Sequence, residues 1–444
     1  MRLTSVAHLD LPRDPVLSYA VSPGALGRPL PVSFDQRRHV SSGQRPGSWM
    51  AVALRPTKPV SQADLERAWL TVVQRHGTLR TVFSQAQTGA VRLHEIEVAP
   101  GSWTVHEASE HQHPWELVRA ALDQGCAPFQ RPSHRVLLAD TGSGAPWVIV
   151  GLDHAHADAW SLLVLGRDLL TCLADIGAAR RPGAELAPVP SFAEHTAELL
   201  AQRPAPERVR RRWAEILGAG GGRMPTFPLP LGEVSTPARE VVEVRDVLDE
   251  AQVQRWEHRA REQGVRLFPL AVSVLTDVSQ RLAGQALRAV LPVHSRYEER
   301  WHDSVGWFIT NAVLESSDAD PQACAGAVRE AVRLGSYPLA PIMEPYGGMP
   351  VGPGMFAISW LDNRRLPVSL PSEVRAQHVS AVTRTDGVMI WFVIDRSGLH
   401  LRCRYPETPA ARESVTTWLD SVCRGLLGSA GGDARPFPAV SGDA

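Results

Sequence analysis

The sequence predicts a mixed α/β protein built from two α/β halves of comparable size. Three observations carry this. Segments of strand-like alternation and of helical 3.6-residue periodicity follow one another along the whole chain. Apolar periodicity lapses at 176–190, and Gly and Pro crowd 218–238, where G-A-G-G-G-R is followed by Pro225, Pro228, Pro230 and Pro237. Either side of these breaks carries both kinds of element, and 444 residues suffice for a core in each without staples.

Residues 1–29, rich in Pro, Gly and Ser, are expected to be an irregular lead-in. The first helix spans Gln62–His76: Leu65, Ala68, Trp69, Val72 and Val73 fall on one face and Ser61 can cap the start. Strands follow at 79–83 and 91–98, the latter alternating cleanly as V-R-L-H-E-I-E-V. A helix around Trp115–Leu122, a strand at His134–Ala139, the apolar strand Trp147–Leu152 and a long apolar helix from about Ala159 to Asp175 complete a first half, 30–180. Residues 181–238 are expected to form a helical linker region, with helices near 191–201 and 205–217. The second half, 239–427, opens with R-E-V-V-E-V-R-D-V-L as a strand, then helices near 250–264 and 267–283. Strands are expected at 286–293, 307–315, 355–361, 387–394 and 398–405, with a turn at Asp395–Gly398 and a last helix at 411–427. The tail 428–444 is expected to be disordered.

Composition narrows the function. Forty-six basic against 47 acidic side chains give a formal charge of −1, which argues against nucleic acid as a partner, because that affinity needs clustered cations. Lys58 is the single lysine, so Schiff-base and P-loop chemistry have little to work with. Five scattered cysteines (126, 172, 324, 403, 423) contain no C-x-x-C pair and suggest neither a disulfide framework nor a zinc site. No apolar run has the length of a membrane span and the N-terminus does not read as a signal peptide; a cytoplasmic protein is expected.

The densest chemistry is G-L-D-H-A-H-A-D-A-W-S, 151–161, between an apolar strand and an apolar helix. Asp153, His154, His156 and Asp158 therefore sit in a loop that can face a cleft. Three readings compete. His154, His156 and Asp158 match a His-x-His-x-Asp metal pattern, although Ala159 stands where such zinc enzymes carry another His. His154 can instead act as an acid/base with Asp158 as its anchor. The bland reading is a polar loop whose histidines cap the next helix. Elsewhere, Arg208, Arg210, Arg211 and Arg212 read as a solvated helix face, or as a basic patch for an acidic partner.

Several segments in order break the tie. L-P-V-S-F-D-Q-R-R (30–38), R-H-G-T-L-R-T-V-F (75–83), D-H-A-H-A-D-A-W-S (153–161), P-V-H-S-R (292–296) and V-G-W-F-I-T-N (305–311) resemble the motifs of the condensation domains of non-ribosomal peptide synthetases. F-A-I-S-W-L-D-N (356–363) fits more loosely. The resemblance implies two chloramphenicol-acetyltransferase-like lobes in a V-shaped pseudo-dimer with an active-site tunnel between them. It implies His154 and Asp158 as the catalytic residues, Asp158 also forming a structural ion pair with Arg296, and Asn311 and Ser359 as tunnel lining. Asp153, His156, Ala159 and Trp160 complete the loop, with Asp153 in place of the motif's first His and Ala159 in place of its Gly.

The implied reaction joins a carrier-bound acyl or aminoacyl thioester to a small-molecule amine or alcohol, giving an amide or ester. No metal or bound cofactor is expected, and the substrate rides on the phosphopantetheine of a carrier protein. The length leaves no room for a fused carrier domain, so that partner is expected in trans. Asp153 and Ala159 keep two alternatives open: a catalytically silent docking platform for a tailoring enzyme, and an acyltransferase that uses acyl-CoA.

Overall fold

The computed structural model describes residues 2–12, 15–109, 111–139 and 146–431. The strands, in chain order, are β1 (Arg2–Ser5), β2 (Val16–Leu30), β3 (Trp49–Leu54), β4 (Thr81–Gln85), β5 (Val91–His106), β6 (His134–Ala139), β7 (Trp147–Asp153), β8 (Ala238–Asp249), β9 (Leu287–His294), β10 (Ile309–Ser316), β11 (Phe356–Asp362), β12 (Gln377–Ser380), β13 (Arg384–Thr385), β14 (Val388–Asp395) and β15 (Gly398–Pro406). They form an eight-stranded sheet, ordered β1-β12-β3-β7-β6-β2-β5-β4, and a seven-stranded sheet, ordered β10-β9-β11-β14-β15-β8-β13.

The chain divides into two compact units, and neither is a continuous stretch. The first comprises Met1–Ala201, His294–Ile309 and Leu366–Val382; the second comprises Gln202–Val293, Thr310–Arg365 and Thr383–Ala444. The fold class is thus mixed α/β with two sheets, as expected, whereas the expected boundaries need correcting. Among the described residues of the expected irregular lead-in, 2–5 and 16–29 are strand: β1 pairs in parallel with β12, and β2 runs antiparallel to both β5 and β6. The 181–238 region is not one linker. Its helix Phe192–Ala201 belongs to the first unit, where Phe192 packs on Phe308 and His195 on Trp301, while Glu207–Ala219 belongs to the second. The last helix runs Pro409–Ser429, so residues 428 and 429 continue it; the rest of the expected tail from 432 lies outside the described residues.

In the first unit both faces of the sheet are covered, which explains why β3 and β7 read as unbroken apolar runs. Val52, Leu54, Val148, Val150 and Leu152 point to one face and meet Leu65, Trp69 and Val72 of the helix Gln62–Arg75 together with Leu162 and Leu165 of the helix Ala159–Gly177. Trp49, Ala51, Ala53 and Ile149 alternate to the other face, against Leu117, Val118 and Leu122 of the helix Pro114–Gly125. Gly151 lies under that helix; a Cβ there would come within 2.4 Å of a Leu122 methyl. The consequence for function is rigidity: β7, buried along its whole length, delivers Asp153 and His154 from the core of a sheet.

In the second unit, β11 and β14 run parallel while β14, β15 and β8 are antiparallel. Trp256, Trp418, Phe356 and Phe392 are fully buried there. Among the described residues no helix is long and apolar enough to cross a membrane.

Candidate active site

The loop after β7 is fixed by its own carboxylates. Asp153 ends the strand and accepts from the Ala155 amide at 2.8 Å, starting a single 3₁₀ turn, His154–His156. Asp158, in extended conformation, then caps the helix Ala159–Gly177 by accepting from the Ser161 amide at 2.7 Å. Two caps five positions apart turn the chain from strand to helix.

His154 is held at three points. Its amide donates to Ser48 O at 3.0 Å. Its Nδ1 lies 2.9 Å from Ala157 O, and a carbonyl only accepts, so Nδ1 carries the proton and Nε2 is the basic nitrogen. The ring stacks on Trp307 with centroids 4.0 Å apart and planes 18° from parallel. Nε2 has no hydrogen-bond partner among the described residues. Burial lowers the His154 pKa, His39 lowers it further, and the Asp153 carboxylate opposes both; the neutral imidazole is the resting form.

Asp158 and Arg296 are brought together and enclosed. Arg296 Nη2 donates to both Asp158 oxygens, at 2.9 and 3.1 Å, and to Ser161 Oγ at 2.7 Å; Nη1 donates to Trp301 O and Ser304 O. Asp158 Oδ2 also accepts from the Phe308 amide at 3.1 Å. The guanidinium lies over the Phe308 ring at 3.9 Å and the Trp160 ring at 5.1 Å. Only 2% of either residue is exposed. Burial pulls the Arg296 pKa down and Asp158 holds it up. The pair ties the loop to the segment 295–308 rather than touching the His154 ring.

The other loop residues have quieter places. His156 is buried with its ring edge on Phe83, and burial lowers its pKa to about 4. Ala159 is the first residue of its helix and half-buried; Trp160 packs against Arg296, His294 and His302. Asn311 in β10 and Ser359 in β11 are half-buried residues of the second unit. The His-x-His-x-Asp residues face three different surroundings, and among the described residues no group of three His, Cys, Asp or Glu is placed to hold a metal.

The remaining segments brace this loop. Ser33 and Gln36 form a capping box at the helix Phe34–Val40, and Gln36 Nε2 also donates to Ala155 O at 2.9 Å. Arg75 and His76 both hold Asp168 of the helix Ala159–Gly177, the histidine at 2.8 Å. Thr78 Oγ1 donates to Val305 O at 2.6 Å, and Ser161 Oγ bridges the Gly306 carbonyl and amide. Sequence reasoning missed His39, Arg45 and Trp307. His39 Nε2 donates to Asp153 Oδ1 and Oδ2 at 3.1 and 3.2 Å, and Arg45 Nη2 lies against the same imidazole. A carboxylate in place of the motif histidine was the one signal that a partner had to come from elsewhere.

The two-sheet α/β fold is the one the sequence motifs implied. The family model "Condensation domain" matches residues 30–333, and the chain belongs to that family, whose members are transferases. Over 67% of its length the chain is 31% identical to the probable non-canonical nonribosomal peptide synthetase CymA of Salinispora arenicola, spanning 4% of that synthetase. It is 22% identical to the acyltransferase PapA3 of Mycobacterium tuberculosis over 95% of this chain and 91% of that one. The solved PapA2 acyl transferase superposes with a TM-score of 0.85 at 19% identity, covering 97% of this chain and all of the other.

Proposed function

We propose that this chain transfers an acyl or aminoacyl group from a phosphopantetheine thioester to an amine or hydroxyl, with His154 as the acid/base. The observation that carries the reading is the His154 tautomer: Nδ1 is committed to Ala157 O, and Nε2 is left as a hydrogen-bond acceptor. The nucleophile's proton passes to Nε2 as its nitrogen or oxygen bonds to the thioester carbonyl carbon. The C–S bond then breaks and the same proton goes to the departing thiolate. The lowered His154 pKa keeps the base neutral near pH 7, where it is ready to accept. Asp158 and Arg296 hold the loop and take no proton. The donor partner in this reading is a carrier protein, and the acceptor a small amine or alcohol. Family membership and the PapA3 likeness along nearly all of both chains support it.

The test is intact-protein mass spectrometry of an acyl-loaded carrier protein offered a panel of amines and alcohols, with the matching acyl-CoA in a parallel arm. Product in the carrier arm is expected, and His154→Ala should lower turnover by roughly 100-fold or more, the usual worth of a positioned general base. Undiminished turnover in His154→Ala removes the residue from the chemistry. Product from acyl-CoA alone replaces the carrier by CoA as the donor.

A further inference from the structure

Asp153 is a fully buried carboxylate beside the proposed base, and its charge is met by a residue 114 positions earlier in the chain. His39, on the helix Phe34–Val40, donates to both of its oxygens. The His39 ring also stands edge-on to Trp307, with centroids 5.2 Å apart, and Trp307 stacks on His154. The indole is therefore bracketed by two imidazoles, and the Asp153 carboxylate is hydrogen-bonded to the first of them.

We infer that His39 and Asp153 act together as positioning residues for His154: His39 orients Trp307 and moderates the Asp153 charge that His154 feels. The inference rests on the reading of His154 as the base and adds the groups that tune it. It also explains how this chain does without the motif's first histidine, since an imidazole returns from another helix to the same neighbourhood. The charged and titratable groups that act on His154 are Asp153 on its own segment and His39, whose ring centroid lies 6.0 Å away; Arg45 lies against His39, and His156 is coupled to Asp153 and His39. An exposed carboxylate would be screened; this one is not, so the hydrogen bonds it accepts decide how strongly it favours an imidazolium nearby.

Two substitutions should then move His154 in opposite directions. Asp153→Asn keeps the shape and removes the charge, so the imidazolium loses support and the His154 titration falls to lower pH. His39→Phe keeps a ring against Trp307 and removes the donor, which leaves the carboxylate less neutralised and lifts the titration to higher pH. The measurement is NMR of the folded protein labelled at histidine Cε1, with the His154 signal assigned by its loss in His154→Gln. No substrate is used, so an inactive carrier assay does not decide the result, and the carrier assay does not depend on it. Opposite shifts support the inference. Shifts of one sign in both variants, or no shift in either, overturn it. Should one variant not fold, the other decides by the sign of its own shift.

Discussion

Arg296 shows how much one residue can be asked to do. Its two terminal nitrogens satisfy Asp158, Ser161 and two carbonyls while its flat face rests on Phe308, so a lysine, with a point charge and no fork, cannot replace it. Breaking a buried pair by removing one partner costs about 3–5 kcal/mol, because the other charge stays behind without compensation. Arg296→Met is thus expected to lower the urea-unfolding free energy by about that much. Adding Asp158→Asn should recover part of it, since Asn still caps the helix and no charge is left stranded. A double variant that is less stable than Arg296→Met alone would show that Asp158 is not the stranded charge. At this scale the sequence was informative where a motif names the residue: His154, Asp158 and Arg296 were legible. His39 and Trp307 were not, because their roles come from ring contacts between segments far apart in the chain, which no local spacing records.

At the scale of elements, the site depends on close approach between the segment 304–308 and its neighbours. Ser161 Oγ takes the Gly306 amide and gives to its carbonyl, and a Cβ on Gly306 would fall 2.4 Å from both Cβ and Cγ of Phe192. Gly306→Ala must push Phe192 at its root, where little can rotate away, and overpacking of that kind costs about 1–3 kcal/mol. Gly151→Ala meets only a Leu122 methyl, the far end of a side chain that can turn. Denaturant midpoints should therefore fall further for Gly306→Ala than for Gly151→Ala; the reverse order would mean the segment is looser than its hydrogen bonds imply. The elements that sequence reading recovered are those whose pattern is local, such as the helix Gln62–Arg75 with its Ser61 cap and the buried strand β7. β2 escaped it for a physical reason. Pro23, Gly24, Gly27 and Pro29 interrupt the alternation, and the strand tolerates them through register shifts against β5 along its exposed outer half. β1 escaped because its pairing with β12 joins residues at opposite ends of the sequence.

Across the whole molecule, buried histidines are concentrated in the first unit. Burial lowers the pKa of His134 to about 3 and of His156 and His195 to about 4, and pushes His76 and His154 down as well. All five lie in the first unit. In the unfolded chain these groups titrate near the ordinary value of about 6.5. Below that pH the unfolded state binds protons that the folded state refuses, so stability falls as pH falls, and it is regained in full above about 6.5. The loss continues down to the folded values near 4 and 3, with each group contributing up to about 1.4 kcal/mol per pH unit inside its window. Asp153 and Asp168, whose pKa values are lowered by hydrogen bonds from His39 and His76 against the opposing effect of burial, add their own loss only at still lower pH, where carboxylates begin to protonate. The expected outcome is an acid transition that starts in one unit. Hydrogen exchange followed by mass spectrometry between pH 7 and pH 4.5 should show amides of β3, β6 and β7 losing protection before those of β11, β14 and β15. A histidine that is buried neutral by design of the fold, rather than by a local contact, should contribute to this whatever its partners; His134→Gln is therefore expected to shift the transition to lower pH although it lies outside the catalytic loop. Simultaneous loss in both sets of strands would instead mean that the two units unfold as one cooperative body, and an unchanged transition in His134→Gln would remove that histidine from the acid response.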